Sequence, residues 1–144
     1  LFILLNFTTT LSFGLQKEKP FDFSVMVGSC FHADTVKISI NGQELTDNEI
    51  VESDFSTGVT KLGVYQDKDG LWILKGDEKI KKNRLTIGRQ ITIDIFVNGT
   101  KTTKMIDLRK GKIILIENCY VKNEKGQTIK TLTFGQFKKT VRLE

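Results

Sequence analysis

The sequence predicts an all-β protein: one antiparallel β-sandwich, of immunoglobulin-like or jelly-roll topology, behind an N-terminal signal-like segment. Three observations carry this. Ile, Val, Thr and Phe together supply 50 of the 144 residues, and Ala33 is the only alanine. β-Branched and aromatic side chains suit a half-buried pleated surface, whereas a helix draws on Ala, Leu and Met. Apolar and polar residues alternate at period two in run after run, and nothing beyond residue 16 sustains a helical period. Turn signals part the runs at short, regular spacing, as in a sandwich.

Residues 1–16 stand apart. They carry no charge, and Leu1-Phe2-Ile3-Leu4-Leu5 opens an apolar run that ends near Phe13-Gly14. This is the character of a signal-peptide apolar region, with small Ser12 and Gly14 ahead of a cut at Leu15. Residues 17–20 then form a polar linker, and residues 21–144 form the single domain. The leader is too short and, with Asn6 and its threonines, too polar to span a bilayer, so no membrane span is expected in the mature chain. Val27-Gly28-Ser29-Cys30 has the shape of a lipoprotein cleavage box, but the segment before it holds Asp22, and a carboxylate does not belong in lipid. Cys30 is therefore read as part of the folded domain.

The first strand lies in 21–30, with Phe21, Phe23, Val25 and Val27 on one face. In 35–40, Val36, Ile38 and Ile40 alternate and meet Asn41-Gly42, the strongest short hairpin signal because both residues tolerate positive φ. The returning arm is 44–52, and 53–58 is a loop. Short strands at 59–65 and 71–74 flank the turn Gln66-Asp67-Lys68-Asp69-Gly70, and the basic stretch 77–84 reads as a loop over the end of the sandwich. The cleanest strand is 89–97, with Ile91, Ile93, Ile95 and Val97 in phase before Asn98-Gly99; it returns along 102–108. Ile113-Ile114-Leu115-Ile116 is apolar on both faces and continues to residue 121. Strands at 128–134 and 137–143 close the domain, for about nine strands in all. The expected core is Phe23, Val25, Val36, Ile38, Ile40, Ile91, Ile93, Ile95, Leu115 and Val141.

The formal net charge is +5, but acidic residues are interleaved throughout. This reads as a lysine-rich solvated surface that protects sheet edges, with no specific nucleic-acid signal. Catalysis finds little support. His32 is the only histidine, and there is no nucleophile elbow or phosphate-binding loop. The carboxylate pairs Glu52 and Asp54, Asp67 and Asp69, and Asp77 and Glu78 sit close together on loops, whereas glycosidase carboxylates face each other across a cleft. Asp67-Lys68-Asp69-Gly70 invites a calcium reading. With Gly70 at position six of an EF-hand loop, Tyr65 and Gly76 fall on ligand positions, so the metal is rejected and a hairpin turn is preferred. No cofactor is implied. Asn98-Gly99-Thr100 is a glycosylation sequon, which the turn explains without glycans.

The aromatic residues Trp72, Phe96 and Tyr120 could converge on an outer sheet face as a platform for sugar rings or a protein partner. Strand parity sets Cys30 with Met26, away from the core face, and Cys119 with Leu115, on the face assigned to the core, so a Cys30–Cys119 disulfide is not expected. The leading functional reading is an exported, non-catalytic module in the periplasm or at the cell surface that binds a glycan or a protein. The alternatives are an assembly subunit joined through sheet edges and a carboxylate-dependent hydrolase.

Overall fold

The computed structural model describes residues 21–138. The leader 1–16, the linker 17–20, and Val141 and Leu143 of the expected last strand lie outside the described residues. In the first half of the chain the strands are β1 (Phe21–Val27), β2 (Asp34–Ile40), β3 (Gln43–Glu44), β4 (Glu49–Val51), β5 (Leu62–Asp67), β6 (Leu71–Lys75) and β7 (Glu78–Lys82). The second half adds β8 (Gln90–Val97), β9 (Thr100–Asp107), β10 (Ile113–Glu117), β11 (Tyr120–Lys122), β12 (Thr128–Lys130) and β13 (Thr133–Phe137). The count exceeds the expected nine because 44–52 divides into β3 and β4, 113–121 breaks at Asn118-Cys119, the expected strand 128–134 parts at Thr131-Leu132 into β12 and the start of β13, and 77–84 holds a further strand, β7. Among the described residues, no helix is long and apolar enough to cross a membrane.

Two sheets make the sandwich. One has six strands in the order β13-β10-β1-β5-β6-β7; the other runs β3-β2-β8-β9, with β4 also on β2. The ribbon β11-β12 stands separately. The inner faces follow the alternation in the sequence. Phe23, Val25, Val64, Ile73, Ile114 and Ile116 from the six-stranded sheet meet Val36, Ile38, Ile40, Ile91, Ile93 and Ile95 from the other in one buried cluster. Ile93 is fully buried, as its phase requires.

Both Asn-Gly turns form, with Asn41 and Asn98 at φ 50° and Gly42 and Gly99 at φ 77° and 83°. Their asparagines do more than turn the chain. The Asn41 N–H donates to the Thr92 carbonyl, and its Oδ1 accepts the Thr92 N–H at 2.9 Å. The Asn98 N–H donates to the Thr35 carbonyl, and its Oδ1 accepts the Thr35 N–H at 2.9 Å. Each side-chain amide thus stands in for a peptide unit and lengthens the β2–β8 ladder at one end. The amide nitrogen of Asn98 is also engaged, donating to Asp34 at 2.8 Å.

β1 and β10 pair in parallel, and every other pairing is antiparallel. This junction corrects two expectations. Leu115 pairs with Met26 on the outer face, and its side chain lies over Gly28, where an added Cβ would meet it at 2.7 Å. The core positions on β10 are Ile114 and Ile116, each one residue off the expected phase. The second correction is the disulfide, which forms: Cys30 and Cys119 are bridged, with Cα atoms 5.0 Å apart. The parity argument failed because it placed Leu115 inside. With Leu115 outside, both cysteines share the outer phase. The pairing Val27↔Ile116 has an offset of 89 residues, which is also the separation of the cysteines. Past the strand ends the ladder slips by one residue: the Gly28 N–H still donates to the Ile116 carbonyl in register, but the Asn118 N–H donates to the carbonyl of Ser29, one residue beyond Gly28, and Cys30 turns at φ 70° to meet Cys119.

A third correction concerns 77–84, expected as a loop. Residues Glu78–Lys82 form β7 along β6, after a turn in which Gly76 has φ 61°. An edge strand that is exposed throughout shows little apolar alternation, so its sequence resembles a loop. Beyond it, the chain is pinned back by Gln66, which is fully buried in β5. Gln66 accepts the Leu85 N–H at 2.7 Å and donates to the Leu85 carbonyl at 3.1 Å and to Asp22 at 3.0 Å.

Candidate functional site

The expected platform residues occupy three different surfaces. Trp72 lies on the six-stranded sheet, Phe96 on the five-stranded sheet, and Tyr120 on the β11-β12 ribbon. They do not converge. Each has a lysine ammonium over its ring, which allows a direct comparison. Lys37 and Lys101 lie 4.5 Å and 5.9 Å from the Phe96 centroid, and Lys130 lies 5.9 Å from that of Tyr120. All three cations also face acids: Lys37 faces Glu44 at 3.0 Å, Lys101 faces Asp94 at 3.9 Å, and Lys130 faces Asp34 at 3.9 Å.

Trp72 is placed differently. Its cross-strand partner on β5 is Tyr65, and the rings stack with centroids 6.3 Å apart and an interplanar angle of 21°. Lys79 lies 4.5 Å from the Trp72 centroid and 5.3 Å from that of Tyr65; Lys81 lies 5.4 Å from Trp72. Among the described residues, neither lysine has an acidic partner within 4.0 Å. With Phe21, Asp67 and Asp69, these side chains line a shallow depression of about 580 Å³.

The local sequence builds this arrangement. The 67–70 turn is held by Asp67, whose Oδ1 accepts the N–H groups of Asp69 and Gly70 at 2.9 Å and 3.1 Å. The same oxygen accepts the indole N–H of Trp72 at 3.1 Å, which fixes the ring. Arg84 donates to the Asp67 carbonyl and pairs with Asp22. Gly70 leaves room for a lysine stem: an added Cβ would lie 2.9 Å from Lys81 Cε. Asp67 and Asp69 thus act here through turn geometry. Among the described residues, no group of three or more His, Cys, Asp and Glu side chains could hold a metal ion.

The other carboxylate pairs from the sequence also have local partners. Glu52 accepts the Ala33 N–H at 2.6 Å and lies 3.4 Å from the exposed His32. Asp77 faces Lys61 at 3.4 Å. Where carboxyl pKa values shift, they shift down. The Ser56 hydroxyl, with the N–H groups of Thr57 and Ser56, lowers Asp54 to about 2. The Arg109 side chain and N–H lower Asp107 to about 2. Burial pushes Asp34 up, but the His32 N–H, the Asn98 amide and Lys130 outweigh it and hold the group below its ordinary value. A general acid needs the opposite shift.

Sequence reasoning does not bring Tyr65, Lys79 and Lys81 to the candidate site. Tyr65 could have been found by pairing the strands across the 66–70 turn, which sets it opposite Trp72. The lysines were hidden by reading their strand as a loop; Gly76-Asp77 is the turn signal that reveals it. No family model, curated protein or solved structure matches the chain.

Proposed function

We propose that this chain is an exported, non-catalytic β-sandwich module that binds a glycan on the outer face of its six-stranded sheet. One observation carries the reading: Tyr65 and Trp72 form a stacked, half-buried aromatic pair in an open depression, with the indole fixed by Asp67. Sugar rings present C–H faces that pack on such surfaces while their hydroxyls bond to polar neighbours. Export is supported by the uncharged run at residues 1–14 and by the Cys30–Cys119 bridge, since disulfides persist in oxidising compartments. The downward carboxyl shifts favour a binding role over a hydrolase. The assembly reading gains less support, because the edge strand β7 carries Lys79, Lys81 and Lys82, which oppose strand addition.

The test is a glycan array followed by calorimetric titration of the best hit, with wild type, Trp72→Phe and Trp72→Ala. Trp72→Phe should retain weakened binding, because a smaller aromatic face remains, and Trp72→Ala should lose it. Binding unchanged in Trp72→Ala would place the site elsewhere.

A further inference from the structure

We infer that the ligand taken on the Trp72 face is anionic, a saccharide carrying a carboxylate or a sulfate ester, and that Lys79 and Lys81 read its charge. This rests on the glycan reading above and deepens it. The argument begins with the contrast among the three aromatic–lysine clusters. At Phe96 and Tyr120 each ammonium faces a carboxylate of the protein, so its charge is answered internally. At Trp72 two ammonium groups converge on one ring, and neither has an acidic partner among the described residues. Two like charges brought to the same ring repel, and an anion placed between them relieves that repulsion.

The lysines are also directed. β7 alternates, so Lys79 and Lys81 project from the same face of the sheet as Trp72, with Lys81 directly opposite Trp72 in register. Gly70 lets the Lys81 stem lie across the turn, and a side chain there would displace it. The carboxylate nearest the indole, Asp67, is committed to the N–H groups of Asp69, Gly70 and Trp72. The site therefore combines an aromatic pair with two ammonium groups that lie over its rings, and an acidic saccharide can draw those flexible groups aside onto its own charge as its ring packs on the indole. A free anion would lack the contact with the indole, and a neutral sugar would leave the cations unanswered.

The experiment compares oligogalacturonate, its methyl ester and a sulfated galactan oligosaccharide by calorimetric titration. The proteins are wild type, the pair Lys79→Gln/Lys81→Gln, Trp72→Ala, and a charge-matched control, Lys122→Gln/Lys125→Gln, on the exposed β11-β12 hairpin. We expect one or both anionic ligands to bind, and the arm that does so distinguishes carboxylate from sulfate. The Lys79/Lys81 pair should weaken that binding about tenfold or more. The control should change it less than twofold, and Trp72→Ala should abolish it. If a neutral ligand (the methyl ester or a neutral array hit) binds as tightly as the acids, the lysine pair is harmless and Trp72→Ala still abolishes binding, the charge inference falls and the glycan site stands. A control that weakens binding as much as the Lys79/Lys81 pair would reduce the effect to diffuse attraction and overturn the inference. If no saccharide on the array or in the titrations binds, both readings fall together.

Discussion

The two sheets share one core yet turn opposite characters to solvent. On the five-stranded sheet, the outer face is self-answered: Lys37 pairs with Glu44, Thr103 donates to Asp94, and Phe96 lies beneath lysines that already have acids. On the six-stranded sheet, the outer face carries Met26, Leu115, the Tyr65–Trp72 stack and the unanswered Lys79 and Lys81. The lesson is that an aromatic ring beside lysines does not itself make a site. What separates the two faces is whether the protein supplies the counter-charge.

Four substitutions sharpen or break this comparison. The largest effect should come from the shared core. Ile93→Ala, in the five-stranded sheet, should cost about 2–5 kcal/mol through lost transfer energy and a cavity. Trp72 is the only tryptophan and reports on the other sheet. Urea unfolding followed by Trp72 fluorescence and by far-ultraviolet circular dichroism should shift by the same amount. A fluorescence transition that does not move would mean that the sheets unfold separately. Next is Gln66→Leu, which leaves the Leu85 N–H and carbonyl without their buried partner and should cost about 1–3 kcal/mol. Hydrogen exchange at the Leu85 amide should quicken; an amide that stays protected would show that Gln66 does not hold this segment. The smallest effect separates the outer faces directly. Lys37→Gln should lose about 0.2–1 kcal/mol with its exposed ion pair, whereas Lys79→Gln should leave stability within about 0.5 kcal/mol of wild type. Equal losses in thermal or urea melts would erase the distinction between answered and unanswered lysines.

Much of the sandwich was legible because a half-buried strand advertises its phase. Ile91, Ile93 and Ile95 could point only inward, and the two Asn-Gly turns declared themselves. Legibility failed where that signal vanishes. Ile113-Ile114-Leu115-Ile116 is apolar on both faces, so parity could not say which face was inside, and the cysteine argument inherited the error. β7 is exposed along its length and carries almost no apolar phase. The candidate site was half legible: Trp72 was singled out, but its partners depend on cross-strand register, which no single strand records. Gln66 gave no warning, since one buried glutamine in a strand looks like any surface residue until the segment that it holds is known.

The disulfide has a consequence for how the domain would behave under tension. β1 begins and β13 ends at the same end of the six-stranded sheet, on either side of β10: Ser24 and Phe137 both pair with Ile113. Pulled at those two ends, β13 would peel from β10 one hydrogen bond at a time, a low-force mode compared with shearing a whole ladder at once. The tear would run through β12 and β11 on one side and through β1 on the other until it reached Cys119 and Cys30. There the covalent bridge would take the force across. Residues 31–118, with both Asn-Gly hairpins and the Trp72 face, would form a closed ring outside the stretched path, so the domain could fray at its ends while the Trp72 face remained on a chain under no pull.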